Sequence, residues 1–244
     1  MNSASFRLSG LAALAFGAAL TLSGRPAVAS PANSPLVIEQ TVPAQFPNAL
    51  AFSPISDGTA NIVICVDADG KLVDLLIASY TNRAFADEAV DVLRRWHYTA
   101  ARENGEPIGL RTTLRFDFQA TGRVVSLTAI DAVELIESTL QRRLTRVICQ
   151  PAELDRPPAA LAPVPPANPA HRIAATAPRN SVVVDFYIDE KGVPRMPVVV
   201  ESPHEVFSQA AVGALTQWRF TAPTRAGKPV AVRVRQQFIF PGSS

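Results

Sequence analysis

Hydrophobic residues recur at two periods along this chain, and the switches between them mark its elements. In "TANIVICVD" (59–67), Ala60, Ile62, Ile64 and Val66 share one face, as do Val182, Val184, Phe186 and Ile188 in "SVVVDFYID" (181–189). This is the two-residue period of a strand. "DADG" and "DEKG" follow as turns, with Gly70 and Gly192 free to take positive φ. Second strands are predicted over 71–79 and 193–201. The spacing then becomes helical: Phe85, Ala89, Val92, Leu93 and Trp96 form one apolar stripe, and Phe207, Ala211, Ala214, Leu215 and Trp218 another. Gly105-x-Pro107 and Gly227-x-Pro229 turn the chain into third strands over 108–118 and 230–240. Pro47 and Pro169 suit the start of short helical turns.

The two sets of elements are copies. An offset of 122 residues aligns 58–118 with 180–240 without a gap, with 14 of 61 positions identical, among them Trp96/Trp218, Arg111/Arg233 and Phe118/Phe240. Pro43 and Pro47 fall on Pro165 and Pro169 at the same offset. The expected fold is α+β: two tandem small domains, 43–118 and 165–240, each a three-stranded antiparallel sheet with a helix packed on one face. Each tryptophan closes its helical stripe and is expected to pack onto the sheet. Residues 119–164 are read as a helix plus a Pro-rich linker. An amphipathic helix is predicted over 131–146, with Val133, Ile136, Leu140 and Leu144 on one side and Arg142, Arg143 and Arg146 at its C-terminal end. Seven prolines in 151–169 then suggest an extended spacer that few contacts cross.

The first 29 residues change the charge balance. Arg7, the apolar run Leu11–Leu22 and Ala27-Val28-Ala29 read as an export signal peptide (1–29) cut before Ser30. An uncleaved leader would anchor the chain to a membrane instead. Its removal takes Arg7 and Arg25 from 23 basic residues, leaving 21 against 21 acidic ones. A neutral mature chain carries no bias toward nucleic acid, and export would deliver it to an oxidising compartment. In that oxidising compartment Cys65 and Cys149 leave two readings open, a disulfide or two separate thiols.

Little in the sequence points to catalysis. His97, His171 and His204 are scattered, and His97 and His204 align with Arg219 and Asn82 in the other copy. Asp67-x-Asp69-Gly70 lacks the later ligands of a calcium loop, and Lys191 stands where Asp69 does in the second copy, so a turn is the reading adopted. No catalytic residue, metal site or cofactor is expected, and the chain is read as a non-enzyme.

The order strand, "VD/ID-x-x-G", strand, helix, "WHYTAA" or "WRFTAP", "G-x-P", strand and "F-x-F" resembles the TonB C-terminal domain, here as a tandem pair. The second copy is the closer likeness. The resemblance implies a periplasmic protein of a Gram-negative bacterium that binds an envelope protein, such as an outer-membrane transporter, by adding a partner peptide to a sheet edge. The alternative is a scaffold on the cell wall (peptidoglycan) or on envelope proteins, without energy transduction. Residues 1–29 contain no histidine, and no long Pro-rich span precedes the first domain, so a binding or scaffolding role fits better than energy transduction. The docking edge is placed on the third strand of the second domain, about Val230–Phe240. Val230, Val232, Val234, Gln236, Phe238 and Phe240 share one face there, anchored to the core by the two phenylalanines. Ala231, Arg233, Arg235, Gln237 and Ile239 share the other, from which Ala231, Arg233, Arg235 and Gln237 are assigned to a partner.

Overall fold

The computed structural model describes residues 33–120, 124–130, 144–169 and 179–241. The leader, residues 131–143 of the helix expected over 131–146, and residues 170–178 after Pro169 lie outside them. The first copy runs β1 (Val37–Glu39), a 3-10 turn (Asn48–Leu50), β2 (Asp57–Val66), β3 (Leu72–Tyr80), α1 (Arg83–Leu93), β4 (His97–Thr99), β5 (Ala101–Glu103), β6 (Glu106–Ile108) and β7 (Leu110–Gln119). Between the copies come β8 (Val124–Ile130), β9 (Thr145–Arg146) and β10 (Ile148–Cys149). The second copy runs β11 (Arg179–Ile188), β12 (Pro194–Glu201), α2 (Glu205–Leu215), β13 (Thr224–Arg225), β14 (Lys228–Pro229) and β15 (Ala231–Pro241). The sheet orders are β8-β7-β2-β3-β9 and β10-β15-β11-β12. The expected three-stranded antiparallel units, β7-β2-β3 and β15-β11-β12, are the centres of both.

The physical reasons repeat at the 122-residue offset. Asp67 Oδ1 accepts from the backbone N–H groups of Asp69 and Lys71, and Asp189 Oδ1 from those of Lys191 and Val193. These carboxylates organise turns. At Gly192, φ is +79°, and a Cβ would lie 2.0 Å from the Phe220 carbonyl oxygen, so only glycine fits. Both helices begin on a side-chain cap: Asn82 Oδ1 accepts from Ala84 N at 3.0 Å, and His204 Nδ1 from Val206 N at 3.3 Å. Unlike residues at equivalent positions therefore share a role that the alignment did not suggest.

Each helix covers one sheet face. Ala60, Ile62, Ile64 and Val66 meet Phe85, Ala89, Val92, Leu93 and Trp96 in one core, and Val182, Val184, Phe186 and Ile188 meet Phe207, Ala211, Leu215 and Trp218 in the other. Equivalent ring pairs recur: Trp96 with Phe116 at 5.7 Å and Trp218 with Phe238 at 5.3 Å, Phe85 with Phe118 at 4.9 Å and Phe207 with Phe240 at 5.0 Å. Such pairs each contribute about 0.5–1.5 kcal/mol beyond burial.

The proline-rich stretch is docked onto the second copy. Asp155 N donates to Thr224 O, Leu161 N to Arg219 O, and Ala159 N to Thr221 Oγ1, while Leu154 and Ala160 pack on the second core. The bridge Ala160↔Phe220 matches the β1–β4 pair Ile38↔Tyr98 at the same offset. Asp155 likewise accepts from Ala226 N and Gly227 N, where Asn33 accepts from Asn104 N in the first copy. The equivalence of the two copies thus extends upstream at least to residues 33 and 155, some ten residues before the prolines that mark it in the sequence.

The sheets meet through the faces opposite their helices. Val63, Ala78, Tyr187 and Met196 form a third buried cluster, joined by Cys65, Leu76 and Ile148. Residues 144–146, expected as the end of a helix, instead lead into a stitch between the sheets. Arg146 and Thr145 pair with Ser79 and Tyr80, Ile148 and Cys149 pair with Ala231 and Val232, and Val147 donates to Ala78 O and accepts from Ala231 N.

Candidate strand-addition edge

β15 pairs with the whole of β11 without a register shift, from Val232↔Ile188 to Pro241↔Arg179. On its other side β10 reaches only Ala231 and Val232. From Arg233 to Pro241 that side has no strand partner among the described residues. Ala231 N–H points to this side, because it bonds Val147 O at 3.0 Å. Backbone groups alternate sides along a strand, so Arg233, Arg235, Gln237 and Ile239 also present their N–H and C=O groups outward. Consistent with this, the Gln237 carbonyl is met by a side chain, Gln236 Nε2, at 2.8 Å.

The equivalent edge in the first copy is filled. β8 pairs antiparallel with β7 from Thr113↔Ile130 to Phe118↔Val124. These β7 positions correspond to Arg235–Phe240 in β15. One edge therefore carries a strand of the chain itself, and its counterpart carries none beyond β10 among the described residues.

The side chains expected to face a partner divide into two groups. Val232, Phe238 and Phe240 are buried toward α2 as expected, but Ala231 is buried as well, beneath β10. Arg233 and Arg235 turn onto Asp185, whose side chain is 3% exposed. Arg233 Nε lies 3.0 and 3.1 Å from the two carboxylate oxygens, and Arg235 Nε lies 3.1 Å from Oδ2. Of the four, only Gln237 has an exposed side chain with no side-chain partner among the described residues. The arginines thus act within the molecule, and the edge offers a partner chiefly main-chain groups.

Asp185 is the residue that sequence reasoning missed. Arg111 of the first copy also pairs with it through Nη2, donates to Met196 O at 2.8 Å, and lies over the Tyr187 ring at 4.9 Å. Burial pushes the Asp185 carboxyl up, but hydrogen bonds from Arg233 and Arg111 outweigh it and hold it below the ordinary aspartate value. Asp74 and Arg195 make a second bridge across the interface, at 2.8 Å from Nε to Oδ2. A signal existed: "NIVICV" is apolar on both faces, the mark of a strand covered on both sides. Met196, with φ of +50°, occupies the left-handed region at the centre of this contact.

Cys65 and Cys149 are both free thiols in the structure, and burial is the chief cause that raises the pKa of each. No group of three or more His, Cys, Asp or Glu among the described residues is arranged to hold a metal ion.

A duplicated three-stranded α+β unit, with a helix on one sheet face and a third strand able to accept a neighbour, defines the class. Residues 51–120 and 175–241 match the family described as Gram-negative bacterial TonB protein C-terminal. The two segments cover more than half of the 244 residues, and the chain belongs to this family, with its domain present twice. Comparison with curated proteins finds no match.

Proposed function

We propose that this chain is a periplasmic, TonB-like protein-binding module, rather than an enzyme, and that it holds an extended peptide of an envelope protein by adding it to the β15 edge. The observation that carries the reading is the contrast between β7 and β15. The sheet of the first copy holds a further strand at this edge, so the architecture accommodates one there, and the second copy has no strand at the same position among the described residues. Main-chain hydrogen bonds would supply most of the affinity, and Gln237 and Ile239 the contacts to alternate side chains. An outer-membrane transporter is the partner class that the family suggests. A scaffold bound to other envelope proteins would use the same edge.

The test is photo-crosslinking in a Gram-negative cell, with a photoreactive residue at Gln237. A crosslinked envelope protein is expected. It should vanish in Ile239→Pro, which removes one outward N–H, and persist in Ile239→Ser, which keeps it. Ile239 is preferable to Arg233 or Arg235, because proline at either arginine would also strip Asp185 of a partner. Crosslinks unchanged by Ile239→Pro would overturn the proposal.

A further inference from the structure

The opposite edge of the first sheet opens into a groove with a chemistry of its own. β9 and Val147 cover β3 only at Ala78, Ser79 and Tyr80. From Leu72 to Ile77 that side of β3 has no strand partner among the described residues. Leu75, Leu76 and Ile77 line a cavity of about 660 Å³ walled by α1 on one side and by the second copy's turns on the other. That volume lies within the roughly 300–1,000 Å³ of ligand sites.

The walls are basic. Seven Lys and Arg residues line the groove against three acids. Four of the seven are already paired: Arg83 with Asp87, Arg195 with Asp74 and Asp189, and Arg146 and Arg225 with Glu153. Arg94, Lys191 and Lys228 have no ion-pair partner among the described residues, and all three are exposed. The mature chain is neutral overall, so this excess is local.

We infer that the groove is a second docking site, taking an extended acidic segment of a partner protein as an added strand on Leu72–Ile77. The open strand edge supplies unpaired backbone groups, which an extended peptide satisfies and a compact anion does not. The free cations supply the preference for acidic side chains on the added strand. Lys191 and Lys228 stand on the second copy while β3 belongs to the first, so the site requires both copies in one chain.

The probe is a fluorescein-labelled (Thr-Glu)₅ peptide, with (Thr-Lys)₅ and inorganic polyphosphate as comparisons, titrated by anisotropy against the mature chain. The acidic peptide should bind, with slower amide hydrogen exchange at Leu72–Ile77 and no change at Arg233–Ile239. The basic peptide should not bind. The double variant Lys191→Ala/Lys228→Ala should bind the acidic peptide at least about fivefold more weakly, with an unchanged melting temperature. Equal binding by the double variant would overturn the inference. So would protection confined to Arg233–Ile239, or polyphosphate binding that protects the lysine loops without β3.

Discussion

The indole Nε1 of Trp218 donates to the carbonyl of Val164 at 2.8 Å, 54 residues upstream. Trp96 makes the same bond to Val42 at 2.6 Å, across the same separation. Each tryptophan therefore has two tasks: its ring fills the core beneath the third strand, and its N–H fastens the incoming proline segment. This explains why the W-x-aromatic phrase occurs in both copies, and why Val42/Val164 and Pro43/Pro165 share the 122-residue offset.

Trp218→Ala should destabilise the protein by about 3–5 kcal/mol, and Trp96→Ala by a similar amount, through the cavity left behind. Trp218→Phe retains part of the ring packing but leaves the Val164 carbonyl without its donor, at a cost of about 1–3 kcal/mol. Urea denaturation measures all three.

The docked segment 155–164 makes a prediction opposite to that of a free spacer. The Asp155 and Leu161 amides, bonded at 2.9 and 2.7 Å, should exchange slowly with deuterium. Proteases should spare these residues as well. Full exchange of both amides within seconds would show that the segment is undocked.

Asp185 couples the copies and makes stability depend on pH. Its folded value is lowered, so its contribution is complete above the unfolded value of about 3.9 and is lost as pH falls through the lower folded value. Asp185→Asn leaves Arg111, whose side chain is 10% exposed, without its counter-charge and should cost about 3–5 kcal/mol at pH 7. The wild type and this variant should converge in stability in strong acid. A constant gap from pH 7 to pH 2 would contradict this account of Asp185.

Ala226 has φ of +50°, in the left-handed region, at the position that Asn104 fills in the first copy with φ of +52°. Asparagine tolerates this conformation better than alanine. Ala226→Asn should therefore stabilise the chain, by up to about 1 kcal/mol, as a rise in melting temperature.

Much of this architecture was legible in the residues. Alternation in 59–67 and 181–189 placed the central strands, the Phe85–Trp96 and Phe207–Trp218 stripes placed the helices, and the offset revealed the duplication. What stayed hidden depends on contacts between distant segments. Val124–Ile130 becomes a strand because β7 has an edge to fill. Thr145–Cys149 is extended because it stitches two sheets. Arg233 and Arg235 read as partner-facing because nothing local showed that Asp185 lies buried beside Arg111. The strand expected over 230–240 is β15, and Arg233 and Arg235 on it pair with Asp185. The leader and residues 131–143 of the expected helix lie outside the described residues.

Hydrogen exchange resolved at single amides compares the two third strands most directly. Thr113 and Arg115, the counterparts of Arg235 and Gln237, lie under β8 and should exchange slowly. Gln237 and Ile239 on the free chain should exchange orders of magnitude faster, and should slow when a partner peptide is bound. Slow exchange at Gln237 and Ile239 without any partner would mean that the β15 edge is already covered, and would contradict strand addition there.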